Sequence, residues 1–240
     1  MISITSDIDW ASETIIEHMV NISYKFNHKC TFFATHKSDI LKKLNDEKYE
    51  VSIHPNFNKI LFENETLSPN KVVSDLLNIY PKSIGVRSHS MTQSSPLLKL
   101  FAESGLKYDS NQFLPYDFDI KPYRCWTGLL RIPYNWEDDI HYMYGKTFKK
   151  LFIKDIDLKD CNVIMDFHPT HVYLNTFSYE HHNYCRKYFN DPLKLKKCIN
   201  YKYKGVRDYF IEVLTYLNEI NEECKLLKEI YYENRNNRQI

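Results

Sequence analysis

The chain has 240 residues and a net charge of +1 from 32 basic and 31 acidic side chains, so its charge favours neither nucleic acid nor a membrane as a partner. Hydrophobic residues make up 43% of it, and no apolar run reaches the roughly 20 residues of a transmembrane helix. The N-terminus lacks the basic and apolar regions of a signal peptide, and the cysteines form no C-x-x-C pair. We therefore expect a cytoplasmic protein with reduced thiols, for which a homo-oligomer remains possible.

Short β-rich runs alternate with helical stretches, which is typical of a parallel α/β sheet or barrel. Strands are predicted over residues 2–8, 30–35, 49–53, 83–86, 107–110, 129–132 and 162–167. Helices are predicted over residues 12–26, 38–46, 68–80, 95–105 and 206–220. Two of these helices begin with a Ser-Pro pair, and proline favours the first helical position.

The pattern indicates one domain over residues 1–220 and a helical tail over residues 221–240. Apolar residues from Ile220 to Ile230 recur at helical spacing. The tail therefore packs either on a second subunit or on its own domain, and the sequence does not choose between the two.

Side chains capable of chemistry follow four of the predicted strands where each strand ends, namely Asp7 with Asp9, His54, Arg87 with His89, and His168. In parallel α/β barrels the active site lies at this end of the strands. We therefore expect these side chains, although tens of positions apart in sequence, to converge on one rim.

Each of these features has a simpler structural explanation when it is taken alone. Asp7 and Asp9 can be solvated acids before a helix, a single histidine at a strand end is more often structural than a ligand, and Arg87 can form an ordinary surface ion pair. Their shared placement at strand ends favours a site. Two carboxylates on one face raise one another's pKa unless a cation lies beside them, and neutral imidazole is a favoured zinc ligand.

The order of these motifs resembles the polysaccharide deacetylase family, also called the NodB-homology family or carbohydrate esterase family four. The similar segments are Asp7-Ile8-Asp9, Ile53-His54-Pro55-Asn56-Phe57, Arg87-Ser88-His89, Ile132-Pro133-Tyr134-Asn135-Trp136 and Phe167-His168-Pro169. The resemblance covers roughly residues 1–220. It implies an α/β fold of the distorted (β/α)7-type barrel kind.

By this resemblance Asp7 is the catalytic base, Arg87 orients Asp7, and His168 is the general acid. Asp9 and His54 are metal ligands. The resemblance also implies that aromatic residues wall the acyl pocket, so we take Tyr134, Trp136 and Tyr173 as candidate substrate-binding residues, although most aromatic side chains build core. Asp138 and Asp139 either orient site groups or cap a helix.

The chain departs from the family's common H-x-x-x-H motif, because Asn58 stands where the second histidine is expected. Branches that lack this histidine often carry R-x-H in the third motif, as this chain does at Arg87-Ser88-His89. We therefore predict Asp9, His54 and His89 as the ligands and keep Asn58 in reserve. His171, His181 and His182 form a second metal site or, more simply, are loop and helix residues.

The predicted activity is hydrolysis by a divalent metal, zinc above cobalt or nickel, of an acyl group on a carbohydrate, N-acetyl above others. The expected substrate is a sugar or polysaccharide precursor in surface polysaccharide biosynthesis. Two alternatives stay open: a deformylase or amidase acting on a small amide, and an inactive carbohydrate-binding relative. The replacement at Asn58 motivates the inactive alternative.

Overall fold

The computed structural model describes residues 1–63 and 66–235. Within them one sheet of nine strands runs in the order β6-β7-β5-β4-β3-β2-β1-β9-β8, and its pairs are parallel apart from antiparallel β6 and β7. The strands are β1 Ile2–Asp7, β2 Cys30–Ala34, β3 Tyr49–Ile53, β4 Gly85–Val86, β5 Tyr108–Asp109, β6 Tyr123–Arg124, β7 Leu130–Arg131, β8 Trp136–Glu137 and β9 Val163–Asp166.

A single segment joins the two halves of this sheet. Its start, β7, pairs with β5, and its end, β8, pairs with β9. Between them Tyr134 bonds through its backbone to residues 112 and 114, and the backbone N–H of Asn135 donates to the carbonyl oxygen of Ile164. The sheet therefore curls into a distorted barrel, and the predicted α/β barrel is confirmed.

Helices cover the outside of the sheet. Within the described residues they are α1 Glu13–Phe26, α2 Asn58–Phe62, α3 Pro69–Ile79, α4 Ser95–Glu103, α5 Asp138–Met143, α6 Pro169–Leu174, α7 Tyr179–Arg186, α8 Pro192–Lys197, α9 Val206–Glu219 and α10 Leu227–Asn234. Helix α1 buries Ile15, Ile16 and Met19 and contacts α6 and α9. It ends at Asn27, whose left-handed backbone (φ 59°) is a common helix stop.

The interior of the barrel is filled from its N-terminal end by α10. Leu227 and Ile230 of this helix are fully buried against Phe33, Tyr108 and other interior side chains. The first backbone N–H groups of a helix have no partner within the helix, so they need an acceptor. Here the N–H of Lys228 donates to Glu50 Oε2 at 2.8 Å.

Glu50 is itself held in the core, where it also accepts from the Tyr108 hydroxyl at 2.7 Å. Burial raises the pKa of this carboxyl. The described part of the predicted tail therefore packs on its own domain rather than extending away from it, and residues 236–240 of the tail lie outside the described residues.

One predicted helix is wrong. Residues 38–46 contain only a 3-10 turn, Leu41–Lys43, instead of an α-helix. The carboxylate of Glu13 accepts hydrogen bonds from the Ser38 hydroxyl and the backbone N–H of Ile40, at 3.1 and 3.0 Å. These long-range bonds fix the segment across the start of α1.

The other predicted elements form within a few residues of their expected bounds. Strands β6 and β8 and the short helices α2, α5, α6, α7 and α8 were not predicted. Strands β6 and β8 have two residues each and do not stand in a longer apolar run that a sequence pattern could reveal. Among the described residues, no helix combines the length and the apolar character that a membrane crossing requires.

Candidate active site

Side chains from four strand ends meet at the C-terminal rim of the barrel. Asp7 ends β1 and Asp9 follows it, His54 follows β3, His89 lies beyond β4, and His168 follows β9. Parallel strands present their carboxyl ends at one edge, which explains why residues so distant in sequence approach each other. The predicted convergence of these five side chains is therefore present in the structure.

Asp9, His54 and His89 form a group of potential metal ligands. Asp9 Oδ1 lies 3.3 Å from His54 Nε2 and 3.1 Å from His89 Nδ1, and the three ligand atoms lie within 4.8 Å of one another. One carboxylate with two imidazoles is a donor set that suits zinc. The opposite nitrogen of His54, Nδ1, is buried without a hydrogen-bond partner among the described residues, so the ring's polar contacts all face the site. The residues present therefore fit a divalent metal.

The electrostatics of this group favour an anionic Asp9. Burial acts to raise the pKa of Asp9, but hydrogen bonds from His54 and His89 outweigh it and hold the pKa well below the usual value. For His54, burial acts to lower the pKa, and the carboxylates of Asp7 and Asp9 raise it by more. A carboxylate that stays ionised can bind a cation at any physiological pH.

The backbone at this corner is unusual. Asp9 and Trp10 both have left-handed backbones, with φ of 37° and 57°. Such conformations are uncommon for residues other than glycine and cost free energy unless surrounding contacts enforce them. One such contact is the hydrogen bond from the Trp10 N–H to Thr35 Oγ1 at 3.1 Å. The result is that Trp10 is 51% exposed on the rim, with its ring 5.0 Å from that of His89.

Arg87 lies beneath the rim and is fully buried. Its Nη1 donates to Asp7 Oδ1 at 3.0 Å and also bonds to Asp166 Oδ1. Its guanidinium lies 4.4 Å from the ring centroid of Phe33 and 4.0 Å from that of Tyr134, so it is held between two aromatic faces. This packing fixes the orientation of the guanidinium that donates to Asp7.

Asp7 is 5% exposed, and burial raises its pKa to about 6 although Arg87 acts in the opposite direction. Its Oδ2 lies 3.7 Å from His54 Nε2, directly beside the group of potential ligands. A carboxylate with a pKa somewhat below neutral is ionised at pH 7 and is more basic than an exposed one. Asp7 therefore has the protonation behaviour of a general base.

His168 borders the same group of residues. Its Nδ1 bonds to Asp138 Oδ1 at 2.7 Å, and its backbone N–H donates to Asp138 Oδ2 at 2.9 Å. Its Nε2 lies 3.7 Å from Asp9 Oδ2. Burial acts to lower the pKa of His168, but Asp138 and neighbouring acids raise it well above the usual value. Asp138 therefore fixes both the ring orientation and the charge of His168.

The remaining sequence candidates lie outside the group of potential metal ligands. Asn58 begins α2 and donates from Nδ2 to Ser90 Oγ at 3.2 Å. Tyr134 and Trp136 are each 1% exposed. The Trp136 indole stacks on Tyr209, with ring centroids 5.4 Å apart, so it belongs to the core instead of a substrate cleft. Tyr173 packs on α1, where its ring meets that of His18. These three aromatic residues therefore pack against other side chains of the protein, as most aromatic residues do.

His171 adjoins His168, and both of its ring nitrogens have partners within the chain. Its Nδ1 bonds to Thr176 Oγ1 at 3.1 Å and its Nε2 to the Tyr142 hydroxyl at 3.3 Å. Burial, with His168 nearby, lowers the pKa of His171 well below the usual value. His182 packs on this ring from α7. His171 therefore packs on His168 and His182 packs on His171, each as a structural helix residue.

The sequence interpretation did not identify Trp10, Glu137 and Asp166 as site residues, and it left the role of Asp138 open. Asp166 precedes His168 by two positions on β9, the same spacing as in Asp7-Ile8-Asp9 and Arg87-Ser88-His89. That repeated spacing was an available indication. The Glu137-Asp138 pair gave no comparable indication, because β8 and α5 were not predicted.

Comparisons with known proteins identify relatives of this chain. A family model described as WbmS-like polysaccharide deacetylase matches residues 4–186. A protein of solved structure from Bordetella bronchiseptica, described as a polysaccharide deacetylase involved in O-antigen biosynthesis, is 32% identical, with a TM-score of 0.83 over 90% of each chain. No curated protein matches the chain.

More distant structures share the fold alone. A polysaccharide deacetylase from Mycobacterium smegmatis is 15% identical with a TM-score of 0.54, covering 94% of this chain and 92% of its own. The peptidoglycan deacetylase PdaC from Bacillus subtilis is 11% identical with a TM-score of 0.55, covering 98% and 92%.

Proposed function

This chain belongs to the WbmS-like polysaccharide deacetylase family, and we propose that it is a metal-dependent hydrolase that removes an N-acetyl group from a sugar or polysaccharide precursor. The relative from Bordetella bronchiseptica is described as involved in O-antigen biosynthesis. On that basis we place the substrate of this chain among the precursors of surface polysaccharide.

One observation supports the proposal above the others. Asp7, held by Arg87, and His168, held by Asp138, both border the ligand group of Asp9, His54 and His89, and a ring nitrogen of His168 lies within 4.8 Å of an Asp7 carboxylate oxygen. Amide hydrolysis needs a base for the attacking water and an acid for the departing nitrogen. This site offers both groups.

We assign the roles as follows. Asp9, His54 and His89 hold the cation, zinc in preference to cobalt or nickel. When bound, such a cation supplies Lewis acidity to an acyl oxygen and to a water molecule. Asp7 takes a proton from the attacking water as the water oxygen bonds to the acyl carbon. His168 gives its Nε2 proton to the nitrogen as the carbon–nitrogen bond breaks, and the products are a carboxylate and an amine.

The exposed Trp10 is our candidate platform for the sugar ring in place of the buried Trp136. An aromatic face that is half exposed beside a ligand can stack on the apolar face of a sugar. We expect Trp10→Ala to raise KM by about 2- to 10-fold with little change in kcat, because an aromatic contact contributes on the order of 0.5–1.5 kcal/mol. Steady-state kinetics checks this. Trp126→Ala, at a tryptophan that is 69% exposed, is the matched control, and an equal effect in both variants would refute the assignment.

The metal requirement is tested by removal and return. We expect chelator treatment to abolish acetate release from an N-acetylated amino sugar, and zinc, cobalt or nickel to restore it. Metal analysis should give one ion per chain for the wild type and a large loss for His54→Ala, because one of three ligands is gone. His18→Ala, on α1 and outside the ligand group, should retain the metal.

The alternatives make different predictions in the same assay. Formate release from N-formyl substrates without acetate release would identify a deformylase. A chain that binds no metal even after reconstitution would support the inactive relative.

A further inference from the structure

Glu137 lies beside His168, and the roles assigned above do not use it. Its Oε2 accepts a hydrogen bond from the Tyr134 hydroxyl at 3.1 Å. Its Oε1 lies 4.0 Å from His168 Nε2 and accepts no hydrogen bond from any described residue. The side chain is only 10% exposed. Oε1 keeps some solvent exposure and has no donor among the described residues, so it can accept a hydrogen bond from a bound substrate.

The position of Oε1 specifies where that donor must lie. His168 Nε2 lies 3.7 Å from Asp9 Oδ2 and 4.0 Å from Glu137 Oε1, so it is close both to the ligand group and to Glu137. The nitrogen that receives the His168 proton must come within about 3 Å of Nε2. Two atoms 4.0 Å apart leave room for one atom at hydrogen-bond distance from both.

The neighbouring acid does not compete for this role. Asp139 belongs to the same group of carboxyl and imidazole atoms, within 4.8 Å of Glu137 and His168. However, its Oδ1 accepts from the backbone N–H of Ile140 at 2.5 Å, at the start of α5. Asp138 is occupied on both oxygens by His168. Asp139 Oδ2 also makes no hydrogen bond to a described residue, but Asp139 is only half-buried whereas Glu137 is buried, so Glu137 is the more enclosed acceptor for a substrate.

We propose that Glu137 accepts a hydrogen bond from the N–H of the scissile amide, and that this contact makes the enzyme select N-acyl over O-acyl groups. The inference rests on the proposed function and deepens it. An ester has an oxygen with lone pairs at this position, so it offers Glu137 no donor. A site built to bind an N–H strongly rejects an analogue that lacks it, because its own buried polar group is left unpaired.

The test uses two substrates that differ in one atom: an N-acetylated amino sugar and the corresponding sugar with an O-acetyl group at the same carbon. The zinc-reconstituted full chain is assayed as wild type, Glu137→Leu, Glu137→Ala, Glu137→Gln and Tyr134→Phe. We expect the Leu and Ala variants to lose about 10- to 100-fold in kcat/KM for the amide, the size expected when a desolvated hydrogen-bonding group loses its partner. Ester turnover should stay the same or rise.

Two variants separate recognition from a structural role. Glu137→Gln keeps an acceptor oxygen, so it should recover most of the amide activity. Tyr134→Phe removes the hydrogen bond to Oε2 and leaves Oε1 in place, so it should keep the wild-type ratio of amide to ester activity. Dissociation constants measured in an Asp7→Asn background, where turnover is slow, should show the same weakening for the amide alone.

The outcomes distinguish this inference from the function on which it rests. A wild-type protein that cleaves neither substrate overturns the proposed function. A wild type that cleaves the amide, together with Leu and Ala variants that lose both activities equally, overturns the role of Glu137 alone. The same conclusion follows if Tyr134→Phe changes the ratio as much as Glu137→Leu does.

Discussion

Replacing Asp7 with asparagine lowers kcat by about 10²–10⁴-fold in our expectation, because the amide cannot take the proton of the attacking water. The substitution is nearly isosteric, and the asparagine oxygen can still accept the hydrogen bond from Arg87 Nη1 that Asp7 Oδ1 accepts at 3.0 Å. The loss should therefore appear in kcat while KM and the thermal unfolding midpoint change little. Stopped assays of acetate release at saturating substrate, with calorimetry in parallel, provide the measurement.

The matched control is Asp39→Asn, at an aspartate whose side chain is 68% exposed. It carries the same chemical change outside the site and should keep wild-type activity. If Asp7→Asn retains near-normal turnover, Asp7 is not the base and the assignment of roles fails.

Removing the charge of Arg87 has the largest expected effect on stability. Arg87→Met leaves the buried carboxylates of Asp7 and Asp166 without their shared cation. Breaking a buried ion pair from one side typically costs about 3–5 kcal/mol, because the remaining charge is buried and uncompensated. We expect the free energy of unfolding near neutral pH, measured with urea, to fall by about that amount.

The loss in Arg87→Met should depend on pH in a defined direction. Burial raises the pKa of Asp7 in the folded protein from an ordinary 3.8 to about 6. For an acid shifted upward, the stabilising contribution is full below the ordinary pKa and is lost as the pH rises through the folded-state pKa. Without Arg87, which acts to lower this pKa, the folded-state value rises further. The difference between variant and wild type should therefore be smaller at about pH 5 than at about pH 8.

Arg87→Lys is the matched comparison, since it keeps one positive charge but lacks the planar group that lies between Phe33 and Tyr134. We expect an intermediate loss of stability with a weaker pH dependence. A difference that is the same at both pH values would show that the destabilisation arises from lost packing, not from the unpaired carboxylates.

Local patterns in the sequence were sufficient to predict the positions of the principal strands and of the residues at their ends. Asp7, Asp9, His54, His89 and His168 each follow an apolar run, and parallel strands present their ends at one rim. The convergence of these residues was therefore predictable. Their roles remain proposals that the experiments above test.

The surroundings of those residues were decided by tertiary structure. The sequence pattern did not indicate the strand–helix junction at Glu137 and Asp138. Strand β8 there has only two residues and pairs with β9, which is distant in sequence. Residues 38–46 became a turn because Glu13, far away in sequence, binds their hydroxyl and backbone groups. Trp136 likewise has its position decided by tertiary structure, because its indole stacks on Tyr209 in the core.

The sequence by itself thus determined the α/β architecture and which side chains stand at the strand ends, since both depend on alternation and spacing along the chain. Only the folded chain decided that Asp138 holds His168, that Arg87 lies between two rings, and that α10 fills the barrel. Those features depend on contacts between residues far apart in sequence, and local propensity carries no information about such contacts.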